Sequence, residues 1–221
     1  MSRTSIRLVG GPTVLIEIGG LRLLTDPTFD PPGEHPVGRR VLRKLRGPDV
    51  RPEDLGRVDA VLLSHDQHPD NLDDSGRAML GTVPRVFTTA EGARRLGGAA
   101  EELPWWQHRA LARPDGGELR VIGVPAFHGP IGSEAITGPV MGFVLCGSGV
   151  PTMYVSGDNA SLDVVAEIAH HLGPIEVAVL FAGAGRTPLI DAYLTLGSDA
   201  ELVVRRSPVP VLLAKAAESS T

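Results

Sequence analysis

His65-Asp66-Gln67-His68-Pro69-Asp70 is the stretch on which the reading of this chain turns. It follows the apolar run Val58 to Ser64, which reads as a short buried strand. Two imidazoles and two carboxylates thus stand just past a strand end, where folds that alternate strand and helix place functional groups. Converging imidazole and carboxylate lone pairs suit zinc or a similar ion. Pro69 fits the first position of a helix running to about Leu80, with Asp70, Asp73 and Asp74 in its first turns. A helix N-terminus there adds a positive dipole that favours a bound anion or hydroxide. Taken alone, the segment is equally a polar loop with an aspartate cap and an exposed histidine.

Three further strand ends carry groups of the same kind. Val124-Pro125-Ala126-Phe127-His128-Gly129-Pro130 sets a histidine directly after a strand, between punctuating Pro and Gly residues. Tyr154-Val155-Ser156-Gly157-Asp158-Asn159 does the same with an aspartate, Gly157 permitting a tight turn. Leu23-Leu24-Thr25-Asp26-Pro27 adds another carboxylate.

Twenty-seven glycines and nineteen prolines cut the 221 residues into short elements. Ile6 to Val9, Thr13 to Ile18 and Leu21 to Thr25 read as strands, with Gly19-Gly20 as a hairpin turn. Asp26 through Gly38 reads as an irregular Pro/Gly loop. Thr89 to Leu96 is a short helix candidate. Leu119 to Ala126, Val140 to Cys146 and Thr152 to Ser156 read as strands. Leu162 to His171 is a helix closed by Gly173-Pro174, and Ile175 to Phe181 is a buried strand. A helix near Ser198 to Arg206 and an apolar stretch Val209 to Leu213 finish the chain. This order predicts a sandwich of two mixed sheets with helices outside, as one compact domain over residues 1–221.

Ordinary globular composition, 42% hydrophobic and 21% charged, argues against a disordered chain. A net charge of −5 argues against a nucleic-acid partner. The one dense basic stretch, Arg39-Arg40-Val41-Leu42-Arg43-Lys44-Leu45-Arg46, reads as a solvated helix face. Cys146, the sole cysteine, reads as a buried inert thiol, and a chain without a cysteine pair fits a reducing compartment. No apolar stretch approaches the roughly 20 residues of a membrane span, and Met1 to Ile6 lacks a signal-peptide core. The expectation is a soluble cytoplasmic protein with a small-molecule substrate; the oligomeric state is left open.

In their order along the chain, these motifs resemble the metallo-β-lactamase superfamily, in the branch similar to ascorbate 6-phosphate lactonases and related predicted zinc-dependent hydrolases. The resemblance runs from Gly10-Gly11-Pro12-Thr13 to about Thr195. Leu62-Leu63-Ser64-His65 followed by His68-Pro69-Asp70-Asn71 is similar to the family's His-x-His-x-Asp-His signature. His128 and Ser156-Gly157-Asp158 match its next histidine and its metal-bridging aspartate, and Asp26 matches the aspartate that supports the metal loop. The resemblance implies an α+β fold, a four-layer αββα sandwich of two mixed β-sheets with a short C-terminal part. It implies a metal-dependent hydrolase using metal-bound hydroxide on an ester, lactone or phosphoester-type bond.

Two departures reduce the ligand count. Matching His68 to the second signature histidine requires a one-residue insertion after His65, and Asn71 replaces the last histidine, a ligand of the family's second metal. No histidine follows His171. The remaining donors are His65, His68, His128, Asp70 and Asp158, enough for one catalytic ion with an open water position. Zinc is the expected ion, with manganese or iron as substitutes. Such an ion lowers the pKa of bound water to roughly 7, and Asp70 is the residue expected to orient or deprotonate that water. Asp26, Asp66, Gln67, Asn71, Asn159 and Arg186 are assigned supporting or substrate-contacting places. The alternative is a degenerate, non-catalytic member that binds metal or another ligand.

Other candidates carry plainer readings. His170-His171, late in a helix, complements the helix dipole. Trp105-Trp106-Gln107-His108 either lines a cleft or caps a core. Gly183-Ala184-Gly185-Arg186-Thr187 reads as a tight turn with a solvent-facing arginine, or as an anion contact. His35 reads as an exposed residue of the Pro/Gly loop, with a lid over the cleft as the other reading.

Overall fold

The computed structural model describes residues 3–37, 40–129, 134–182, 186–187, 192–193 and 211–214. Its first half runs β1 (Ser5–Gly10), β2 (Thr13–Ile18), β3 (Leu21–Thr25), β4 (Gly33–Val37), β5 (Arg40–Lys44), β6 (Ala60–Leu62), α1 (Asp74–Leu80), β7 (Val86–Thr88), α2 (Ala90–Leu96) and β8 (Ala100–Glu102). The second half runs β9 (His108–Ala112), β10 (Glu118–Ala126), α3 (Glu134–Thr137), β11 (Val140–Gly147), β12 (Val150–Val155), α4 (Leu162–Leu172), β13 (Val177–Phe181), β14 (Arg186–Thr187), β15 (Ala192–Tyr193) and β16 (Val211–Ala214).

Two six-stranded sheets result, in the orders β1-β2-β3-β6-β7-β8 and β16-β13-β12-β11-β10-β9. Each is mixed: an antiparallel set joined to parallel strands that follow crossovers. The two-residue period of a strand sorts its side chains between layers. Val14, Ile16, Ile18, Leu23, Ala60 and Leu62 point inward to meet Val121, Met141, Phe143 and Leu145 of the second sheet. Their neighbours Leu15, Leu24, Val61 and Leu63 point outward onto Met79 and Leu80 of α1. Val124, Val144 and Tyr154 cover the other outer face with Val164 and Ile168 of α4. Helix, sheet, sheet and helix follow one another, which is the expected αββα sandwich.

The helix expected from Pro69 begins instead at Asp74. Asn71 N and Leu72 N both donate to His68 O, at 3.0 and 2.9 Å, closing a turn. Asp73 then takes the cap, its carboxylate accepting from Gly76 N at 2.8 Å. The helix dipole anticipated at the His65–Asp70 loop is therefore not aimed there.

The Asp26–Gly38 segment also departs from expectation. Gly33–Val37 pairs antiparallel with Arg40–Lys44, so the basic run is largely a strand rather than a helix face. Glu34 stands opposite Arg43 and accepts from its Nη2 at 2.8 Å, a cross-strand charge pair. Lys44 Nζ reaches Asp73 Oδ2 at 3.1 Å and fastens this hairpin to the start of α1. Cys146 is half-buried rather than buried. The helix expected over residues 198–206 lies outside the described residues. The apolar stretch after it forms β16, parallel to β13.

Candidate metal centre

β3 and β6 run parallel, and β10 and β12 each run antiparallel to β11, so four chain exits share one edge of the sandwich. Asp26 follows β3, His65 follows β6, His128 follows β10 and Asp158 follows β12. Met141 N donates to Ser64 O at 3.2 Å, tying the two sheets together at this edge.

His65, His68 and His128 each offer a ring nitrogen, and these three atoms all lie within 4.8 Å of one another. His65 Nε2 and His68 Nδ1 are 3.0 Å apart. Asp158 Oδ2 stands 3.6 Å from His128 Nε2 and 3.9 Å from His65 Nε2. His65 is fully buried and His128 and Asp158 nearly so. Burial, and then the neighbouring His68 and His128, hold the His65 imidazole well below its usual pKa. His68 is lowered chiefly by burial, Asp70 working against the shift. Both effects favour the neutral ring, the form that ligates metals.

The surrounding side chains fix these donors. Asp26, buried to 1% exposure, accepts from Ser64 N at 2.6 Å and from Ser64 Oγ at 2.7 Å. Ser64 Oγ lies 2.9 Å from His65 Nδ1. With its proton given to Asp26, the Ser64 hydroxyl accepts from His65 Nδ1–H, leaving the His65 Nε2 lone pair facing the cluster. Burial raises the Asp26 pKa well above normal against the lowering bonds from Ser64. Burial and then the charge of Asp70 push Asp158 up to about 8, the Asn71 side-chain bond opposing them.

The remaining sequence candidates divide between bracing and unassigned. Asn71 Nδ2 donates to Asp26 Oδ2 at 3.2 Å, and Asn71 Oδ1 is buried with no hydrogen-bond partner among the described residues. Asp66 faces away from the histidines and accepts both Nε and Nη2 of Arg95 on α2, at 2.9 and 2.5 Å. Gln67 accepts from Asp66 N at 3.1 Å and its amide abuts Gly138. Asn159 braces the exit of β10, accepting from Phe127 N at 3.1 Å. Asp70 is half-buried, lies outside the compact donor group, and its side chain hydrogen-bonds no described residue. Its charge is felt by both His68 and Asp158. Arg186 stands in β14; its side chain, and Gly183 to Gly185, lie outside the described residues.

Trp105 and Trp106 are exposed rather than capping the core. Trp105 meets Phe127 edge-on, and Trp106 lies 4.7 Å from the His171 ring, beside the last turn of α4. His35 stands in β4 rather than in an irregular loop, half-buried, with Nε2 lacking a partner among the described residues. Sequence reasoning missed Ser64 and Arg95. Ser64 adjoins the first ligand, which is a usable signal; Arg95 carries none, being 29 residues from Asp66.

Residues 21–201 match the model of the beta-lactamase superfamily domain. The chain belongs to that superfamily. The match is to the superfamily domain as a whole and does not single out the ascorbate 6-phosphate lactonase branch. An uncharacterized protein of Mycobacterium tuberculosis is 32% identical over 214 aligned residues, covering 87% of this chain and 52% of the relative. The chain thus spans about half the length of the curated relatives it matches. Among solved structures, a possible metal-dependent hydrolase from Veillonella parvula superimposes with a TM-score of 0.80 at 18% identity, over 96% of this chain and 85% of that one. An isothiocyanate hydrolase from Delia radicum gut bacteria gives 0.74 at 21% identity, over 95% and 83%. At these identities the two structures establish the shared fold. No helix among the described residues is long and apolar enough to cross a membrane.

Proposed function

We propose that this chain is a metal-dependent hydrolase of small molecules, cleaving an ester, lactone or phosphoester-type bond with one ion held by His65, His68, His128 and Asp158. The observation that carries the reading is the convergence within 4.8 Å of three imidazole nitrogens, those of buried His65 and His128 and half-buried His68, beside the Asp158 carboxylate. Ligand atoms at about 2.0–2.1 Å from a tetrahedral zinc ion stand about 3.3–3.4 Å from each other. Separations of 3.0, 3.6 and 3.9 Å lie around that spacing, within an imidazole set whose atoms are all within 4.8 Å of one another. Zinc therefore fits, and manganese or iron suits the same imidazole and carboxylate donors.

A bound ion would supply Lewis acidity and would lower the pKa of its water to roughly 7. The protein does the rest. Asp26 and Ser64 hold His65 in the tautomer whose Nε2 faces the centre. Asn71 steadies Asp26 and Asp158. Asp70, bound to no described side chain, is the carboxylate available to take a proton at its Oδ atoms.

Elemental analysis of the purified protein tests this reading, together with Asp158→Ala. About one equivalent of metal and hydrolysis of an ester, lactone and phosphodiester panel are expected, both reduced or abolished in the variant. A protein that retains none of zinc, manganese or iron sinks it. A second reading, a metal-binding but non-catalytic member, is favoured by Asn71, which presents a donor to Asp26 where the family has a ligating histidine. It predicts bound metal with no turnover on the whole panel.

A further inference from the structure

Beside the His65–Asp70 loop lies a cavity of about 330 Å³, a size within the range of small-molecule sites. Pro69 and Asp70 form one wall, so the cavity adjoins the metal donors through the residue assigned to proton transfer. Leu8 and Val9 of β1 and Pro12 of the turn after it supply apolar surface. The β4–β5 hairpin and the residues after it supply His35, Arg43, Lys44 and Arg46.

The cations are not equivalent. Arg43 is engaged by Glu34 and Lys44 by Asp73, so both are committed to holding the hairpin. Arg46 pairs with no carboxylate among the described residues. His35 Nε2 is buried and unpartnered, although Nδ1 lies 3.9 Å from Asp30 Oδ2. Asp49 and Asp70 also line the cavity, and Arg46 is its one cation without a carboxylate partner among the described residues. An orphaned buried ring nitrogen and an uncommitted guanidinium lining the same cavity as an apolar face suit an anionic group carried on a short apolar body.

Resting on the hydrolase reading, we infer that this cavity receives the non-reacting end of the substrate, and that this end is a carboxylate or phosphate on an apolar stem. The anion faces Arg46 and His35, the stem lies on Leu8, Val9 and Pro12, and the scissile bond extends past Asp70 towards His68.

Calorimetric titration of the zinc-loaded protein with octyl phosphate, octanoate and 1-octanol tests this. Either anion is expected to bind at least about tenfold tighter than octanol, and Arg46→Ala to remove about tenfold of that preference. The better of the two anions identifies the headgroup. His128→Ala, which removes a metal donor, is expected to leave anion binding within about twofold of wild type, RT-scale noise in such a comparison. Equal affinity for anions and octanol overturns the inference. So does anion binding that disappears in His128→Ala but survives Arg46→Ala, since the anion then sits on the ion itself. The readout is binding, so the two failures separate: a protein without metal that still binds anions through Arg46 loses the hydrolase reading alone. A metal-loaded protein indifferent to the anions loses this inference alone.

Discussion

Ser64 donates both its backbone N–H and its hydroxyl to the carboxylate of Asp26, at 2.6 and 2.7 Å, while the same hydroxyl lies 2.9 Å from His65 Nδ1. One buried carboxylate thereby sets the position of a strand end and the tautomer of the first candidate ligand. Partners of this outer kind are commonly worth 10–100-fold in metal affinity. Ser64→Ala is expected to weaken zinc binding by about that range, and to lower stability by about 1 kcal/mol, the scale of one net hydrogen bond. Competition against a chelator of known affinity reads the first effect and urea denaturation the second. Unchanged zinc affinity would show that Ser64 does not orient His65.

Arg95 is the second brace. Its guanidinium takes Asp66 in a two-pronged grip that joins the last turn of α2 to the His65–Asp70 loop. The Asp66 side chain is only 3% exposed, whereas Arg95 is 45% exposed. Removing Arg95 leaves a buried carboxylate short of two charge-assisted bonds. Arg95→Ala is expected to cost about 1–3 kcal/mol, discounted from a fully buried pair because water reaches the arginine side. Arg95→Lys, which cannot grip bidentately, is expected to recover only part of it. Urea midpoints for the two variants and Asp66→Asn check the account. A lysine variant as stable as wild type would remove the bidentate argument.

Gly157 is required by backbone geometry. Its φ of +54° lies in the left-handed region, and a Cβ there would collide with the Met141 carbonyl and come within 2.8 Å of Ser64 Cβ. Gly157→Ala combines left-handed strain of about 1–3 kcal/mol with overpacking of about 1–3 kcal/mol. It acts between Ser64 and Asp158, so metal retention falls along with stability. Thermal melts with and without zinc test this; a variant with wild-type melting and wild-type zinc content contradicts it.

Most donors were legible in the sequence because each stands just past a strand whose apolar run is unmistakable: Val58 to Ser64 before His65, Leu119 to Ala126 before His128. The layers were legible too, since alternation in Thr13 to Ile18 leaves little choice of face. What escaped was whatever long-range pairing decides. Pro69 looks like a helix start, and Asn71 and Leu72 do close a single turn on the His68 carbonyl, but Asp73 takes the cap and the helix begins only at Asp74. Pro36 in Gly33 to Val37 masked a strand that is held from across the hairpin by Arg43 and fastened to the start of α1 through Lys44. β7 and β8 have three residues each, too few to show a period. Arg95 and Asp66 meet only because α2 folds over the metal loop.

The metal-free and metal-loaded proteins are expected to respond differently to pH. Asp158 is pushed up to about 8 from an ordinary 3.8, first by burial and then by Asp70. A raised folded-state pKa gives stability that is complete below the unfolded value and is lost as pH climbs towards about 8. Asp26, raised by burial, has the same sign. His65 has the opposite sign: held well below 6.5 by burial, its contribution is lost as pH falls through 6.5. Between pH 6.5 and 8 the histidine effect is spent, so the metal-free melting temperature should fall with rising pH. A bound ion needs Asp158 ionised, so below about pH 8 its binding must expel that proton. Zinc affinity should therefore rise across the same window, and the gap between loaded and metal-free melting temperatures should widen. Melts at several pH values with zinc or with a chelator measure the gap. Calorimetry in buffers of different ionisation enthalpy counts the proton. A constant gap with no proton released would remove Asp158 from the ligand set.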